Sequence, residues 1–99
     1  MEVKIVKEDK VTTASLIGRL DTMAAQEIAP QMDELKNAAG TLVLDCSELS
    51  YISSSGLRIF LTLRKAAAEK GGKVIVRNIS NDIRSVFMMT GFLNLFEIQ

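Results

Sequence analysis

The sequence predicts an α/β fold: a single domain built on a mixed β-sheet packed against helices. Segments of alternating or β-branched apolar residues are interleaved with segments of helical apolar spacing, in the order β-β-α-β-α-β-α with an optional final strand. The 99 residues suffice for one modest core, burying roughly two-thirds of the unfolded surface. They contain no linker, internal repeat or low-complexity segment, so residues 1–99 read as one domain.

Val3 and Ile5 alternate with charged residues, which makes residues 2–7 a half-exposed strand. Glu8-Asp9-Lys10 is a polar turn. Residues 11–18, rich in Val, Thr, Leu and Ile, form a second strand that pairs antiparallel with the first across so short a connection. Asp21 or Thr22 then caps a helical segment reaching about Ala39, with Ala24, Ile28, Met32, Leu35 and Ala39 at helical spacing. Pro30 either kinks that helix or marks its true first turn. Gly40 is its expected stop. Thr41–Asp45 is a short, nearly continuous apolar strand, followed by a polar loop from Cys46 to Ser50. A helix over about Ser55–Lys70 is closed by Gly71-Gly72, and Lys73–Arg77 is the next strand. Ser80 or Asn81 caps a third helix, with Ile83, Val86, Phe87 and Thr90 on one face and Gly91 ending it. The apolar tail Phe92–Ile98 packs back on the body and offers the final strand.

Charge and composition exclude several functions. Twelve basic residues balance twelve acidic ones and form no patch, which argues against direct nucleic-acid binding. There is no His and one Cys, so neither a Ser-His dyad nor an ordinary zinc site is expected. Gly-rich phosphate loops are missing, and no cofactor is expected. Cys46 reads as a small buried hydrophobe. The chain opens directly on a strand pattern, and no run of about 18 apolar residues occurs anywhere. A cytoplasmic protein without membrane association, monomeric or weakly dimeric, is the expectation.

The centre of the chain holds the most chemistry. Arg58, Thr62, Lys65 and Glu69 are spaced by four, three and four residues, which puts them on one helical stripe. Leu57, Phe60, Leu61 and Ala68 are expected on the opposite side, leaving the solvent one narrow face. Extended backwards, the stripe reaches Ser54 and Ser55. Either is a natural N-cap, its hydroxyl accepting from an orphan amide of the first turn. One serine suffices for a cap. Ser53-Ser54-Ser55 followed by Gly56 reads as a small-residue tip that another protein can reach. A phosphoryl group there carries roughly −1.5 to −2 charges at neutral pH. It would meet the positive end of the helix dipole, so the fold is spared while a docked partner is expelled.

Asp45-Cys-Ser-Glu-Leu-Ser-Tyr-Ile-Ser-Ser-Ser-Gly-Leu-Arg58 resembles the signature of STAS domains, specifically the anti-sigma factor antagonists of bacterial partner switching. Gly18-Arg19-Leu20-Asp21-Thr22, Val86–Phe92 and Leu95–Ile98 extend the resemblance, in order, over essentially the whole chain. The resemblance implies a STAS-like fold and a protein that is not an enzyme. Its partners would be an anti-sigma factor that is also a serine kinase, bound only by the unphosphorylated form, and a metal-dependent serine phosphatase that restores binding. It also implies phosphorylation of the serine before the motif's glycine, Ser55, with Ser54 the second choice, and places Asp21 and Thr22 on the same edge. Many members carry Asp two residues before the phosphoserine; here that position is Ser53. With Ser53, Ser54, Gly56, Arg58 and Thr62, these residues form the expected partner surface.

Other readings compete. Asp45 at a strand end superficially resembles a phospho-Asp receiver, but Glu8-Asp9 leads into a strand rather than a crossover helix, so Asp45 is expected to bond to backbone or to cap the following loop. The serine run lacks the Gly-x-Ser-x-Gly elbow of hydrolases. An accessory STAS subunit of a transporter or stress-sensing complex, without phosphoregulation, is the alternative function. The short chain favours the antagonist, and Ser55-Gly56 favours phosphoregulation. Met23, Met32, Met88 and Met89 are expected mostly in the core; one of the adjacent pair, Met89, is expected partly exposed at a partner contact.

Overall fold

The computed structural model describes every residue, Met1–Gln99. Its elements in chain order are β1 (Glu2–Glu8), β2 (Val11–Leu20), α1 (Thr22–Glu27), α2 (Ala29–Lys36), β3 (Thr41–Ile52), α3 (Ser54–Glu69), β4 (Lys73–Arg77), α4 (Asn81–Thr90), a 3₁₀ turn (Phe92–Asn94) and β5 (Glu97–Ile98). The five strands form one sheet in the order β1-β2-β3-β4-β5. Only β1 and β2 are antiparallel; β2, β3, β4 and β5 run parallel.

That order fixes the layers. Right-handed crossovers that always advance in one direction leave every helix on the same face of the sheet. Burial agrees. Val3, Ala14, Leu16, Leu42, Leu44, Val74 and Val76 join Phe60, Leu63, Ile83 and Phe87 of the helices in one cluster of 22 buried residues. Val43 and Ile75, of opposite pleat, are buried mid-sheet but stand outside that cluster. The lower edges of the parallel strands are laced by backbone: Thr41 N–H donates to Lys10 O at 2.8 Å and Lys73 N–H to Gly40 O at 3.2 Å. A Cβ on Gly72 would lie 2.1 Å from Gly40 O, so this lacing admits only glycine there.

Several expectations are corrected. The strand expected to stop at Asp45 is 12 residues long, and Cys46–Ser50 is strand rather than loop. β3 pairs with β4 only as far as Asp45↔Arg77, but with β2 as far as Ile52. Register shifts between Ser15 and Ile17 and between Gly18 and Arg19 change the inward spacing, so Cys46, Leu49 and Ile52 are buried while Ser47, Glu48 and Ser50 face out. The helix expected through Ala39 is two helices. Asp21 caps α1, and Pro30 lies in the first turn of α2, where its missing N–H leaves no bond unmade. α2 ends at Lys36, and Ala39 is exposed. α3 buries Gly56, Phe60, Leu63 and Ala67, a face rotated from the expected one. Leu61 and Ala68 point to solvent, so the exposed face is broad. Of Met23, Met32, Met88 and Met89 only Met32 is core; the other three are 72%, 65% and 82% exposed in that order.

Candidate functional site

Two strand-to-helix junctions lie side by side because β2 and β3 end together, Leu20 opposite Ile52. Each turns directly into a helix through a short polar cap. Asp21 is extended and its carboxylate accepts from Ala24 N–H at 2.9 Å, which starts α1. Ser53 is extended and its hydroxyl accepts from Gly56 N–H at 3.2 Å, which starts α3. The cap is therefore Ser53, not Ser54 or Ser55 as expected from sequence. The reason is that Ser53 N–H is already committed to Leu20 O at 2.9 Å, so the helix begins as soon as the sheet pairing ends.

This assignment decides what the other serines can do. Ser54 and Ser55 occupy the first two helical positions with their hydroxyls free of capping duty. Ser54 is exposed and Ser55 half-buried. Ser55 Oγ lies 3.4 Å from Thr22 Oγ1 at the start of α1, so the two junctions meet at a pair of hydroxyls. Gly56 is pressed onto the strand ends: an added Cβ would lie 2.7 Å from Leu20 Cγ and 2.8 Å from Ile52 Cγ1. The glycine thus seats α3 close enough for Ser55 to reach Thr22.

From Ser55 a groove of about 180 Å³ runs between α2 and α3, past Arg58 and Thr62 on one side and Asp33 and Lys36 on the other, over a floor that includes Met32 and Leu63. The structure therefore brings Asp21, Thr22, Ser53, Ser54, Ser55, Gly56, Arg58 and Thr62 into one region. Met89, on α4, lines neither this groove nor the hydroxyl pair. Sequence reasoning missed the α2 wall, Asp33 and Lys36, because the break at Ile28 that turns α2 against α3 was unresolved. It also missed the exposed flank of the junctions, where the Arg19 guanidinium stacks 4.3 Å from the Tyr51 ring beside exposed Met23.

Two titratable groups farther back along β3, Asp45 and Cys46, are structural. Burial alone would raise the Asp45 pKa, but the Ser47 amide and the Asn78 side chain outweigh it and hold the carboxyl below its ordinary value. This is the backbone-bonding role expected of Asp45. Burial pushes the Cys46 thiol up to about 12, with the Asp45 charge adding to it, so no thiolate forms near neutrality. No group of three or more His, Cys, Asp or Glu side chains is placed to hold a metal ion. No helix is long and apolar enough to cross a membrane.

Known proteins share this fold. BtrV of Bordetella bronchiseptica, described as an anti-sigma factor antagonist, is 31% identical over 102 residues, covering 99% of this chain and 85% of its own. SpoIIAA, a Bacillus cell fate determinant solved in its phosphorylated form, superposes with a TM-score of 0.75 at 22% identity, covering 99% of this chain and 91% of its own. A STAS protein of Planctomyces limnophilus reaches a TM-score of 0.88 at 17% identity, covering 98% and 87%. At such identities the two structures speak for the fold alone. The STAS domain family profile matches residues 2–99, and with it the 31% identity to BtrV places this chain in the STAS domain family, among relatives described as anti-sigma factor antagonists.

Proposed function

We propose that this protein is a phosphoregulated anti-sigma factor antagonist of the cytoplasm, a binding module rather than an enzyme. Unphosphorylated, it binds an anti-sigma factor that is also a serine kinase and so frees the sigma factor. The kinase transfers the γ-phosphoryl group of ATP to Ser55 Oγ; the hydroxyl proton leaves and ADP departs. A serine phosphatase returns the group to water as inorganic phosphate and restores binding. The observation that carries this reading is the Ser55 hydroxyl, uncommitted to capping, half-exposed at the rim of the groove between α2 and α3. Ser54 lines no groove, which favours Ser55 as acceptor. Ser53 in place of an acidic residue is consistent with it, because Ser and Asp cap helices equally well.

The test is incubation with ATP and the candidate kinase, followed by intact mass and phosphopeptide mapping. Modification at Ser55 is expected; modification confined to Ser47, Ser80 or Ser85 would sink the assignment. Ser55→Ala is expected to hold the kinase in the presence of ATP. Ser55→Asp is expected to bind at least about tenfold more weakly, roughly 1.4 kcal/mol, while remaining folded. Co-purification of a transporter subunit instead of a kinase would select the accessory role.

A further inference from the structure

We propose that Arg58 is the internal counter-ion for a phosphate on Ser55, so that phosphorylation withdraws from the groove its one uncommitted cation. The inference rests on Ser55 being the phospho-acceptor and adds how the phosphate acts. Ser55 and Arg58 line the same groove and stand three residues apart on α3. At that spacing the Cβ atoms are about 5–6 Å apart. Long helical side chains lean back toward the N-terminus, which carries the guanidinium toward Ser55.

The surrounding charges leave Arg58 free for this role. Lys36, across the groove, pairs with Asp33 at 3.2 Å. Asp21, at the neighbouring junction, is spent on the Ala24 amide. Thr22, whose hydroxyl lies 3.4 Å from that of Ser55, is neutral. Lys65 lies on the same stripe, about 10 Å farther along the helix axis. The Arg58 side chain enters none of the ion pairs; the one side-chain hydrogen bond at this residue is made by Thr62 Oγ1, which donates to the Arg58 backbone carbonyl. A guanidinium presents two parallel donors to a phosphate dianion, which Lys cannot match.

The consequence is a switch with two parts. Before phosphorylation Arg58 is available at the groove to a carboxylate of the partner. Afterwards it is folded over the phosphate across the groove mouth, so the partner loses a cation as well as meeting a dianion. A single carboxylate at position 55 holds Arg58 less firmly, so Ser55→Asp imitates only part of the switch.

Phosphoserine encoded at position 55 during synthesis tests this without any kinase, so the result stands apart from whether a kinase chooses Ser55. The readout is the second pKa of the phosphate, followed by phosphorus NMR with folding checked by circular dichroism. Arg58→Ala is expected to raise that pKa by about half a unit or more. Arg58→Lys is expected to recover part of the difference, and Lys65→Ala to match the parent protein. The α3 N-terminus acts equally in every variant and cancels. Identical titration of the Arg58→Ala variant and the parent, or an equal rise on Lys65→Ala, would overturn the proposal.

Discussion

At the scale of the residue, the decisive assignment is Ser53. Three consecutive serines offer three caps, and periodicity cannot choose among them; the choice is made by where the β2–β3 pairing ends. Because the Ser53 hydroxyl satisfies the Gly56 amide, Ser53→Ala is expected to lower stability by about 1 kcal/mol in urea unfolding. Ser53→Asp should retain the cap, and a loss equal to that of alanine would show that the hydroxyl bond is not what starts α3. Cys46 gives a second residue-scale prediction. Its thiol is pushed from an ordinary value of 9.0 to about 12 in the folded protein. Below pH 9 both states keep the proton and stability is indifferent to it. Between 9 and 12 only the unfolded chain gives the proton up, so this contribution weakens folding as pH rises, by up to about 1.4 kcal/mol per unit. Stability of Cys46→Ser or Cys46→Ala measured across that window should lack this slope.

At the scale of the element, α3 is a compromise between propensity and packing at its third position. Gly56 costs roughly 1 kcal/mol relative to Ala in a helix. Its hydrogen, however, faces the buried Leu20 and Ile52, and a methyl there would sit under 3 Å from both side chains. Overpacking of that kind costs about 1–3 kcal/mol, which meets or exceeds the gain in propensity. Gly56→Ala is therefore expected to leave stability unchanged or lowered by up to about 2 kcal/mol, and to displace the start of α3 so that Ser55 separates from Thr22. A slower phosphorylation of Ser55 in this variant, at matched folded fraction, is the measurement. The elements themselves were largely legible: helical and alternating periods survive wherever a segment has one buried face, as in α4 and β1, and β4 reads as a short continuous apolar run because it is buried on both. β3 was half-read because its bulges replace a spacing of two by a spacing of three after Cys46, and that spacing is set by β2, a partner remote in sequence. The exposed face of α3 was misread for a related reason. Leu61 and Ala68 are apolar, yet no element covers them, and a sequence does not record which neighbour is missing.

At the scale of the whole molecule, the site and the main aromatic packing lie on different parts of the same helix. All four phenylalanines meet in one cluster: Phe60 of α3 stands 6.0 Å from Phe87 of α4, and Phe96 stands 6.2 Å from Phe60 and 5.6 Å from Phe92. The tail after α4, readable from sequence only as apolar, thus pins α3 and α4 together and adds β5 to the sheet edge. Its position depends on contacts with residues about 36 places away, which no local pattern encodes. Removing a buried phenylalanine costs about 3–5 kcal/mol, against a total stability of about 5–15 kcal/mol for a domain of this kind. For a chain of this length 1 kcal/mol corresponds to roughly 4–8 °C. Phe96→Ala is therefore expected to lower Tm by more than about 10 °C. Ser55→Asp replaces a half-exposed hydroxyl at a helix start, where negative charge is favoured, and should move Tm by no more than about 4 °C. The two variants separate the molecule's two tasks: the first weakens the fold while the surviving folded fraction keeps its Ser55 surface, and the second alters that surface in a fold that persists. Equal Tm shifts would mean that the switch acts by unfolding, and partner release would then have to be explained by loss of the domain rather than by a charge at the groove.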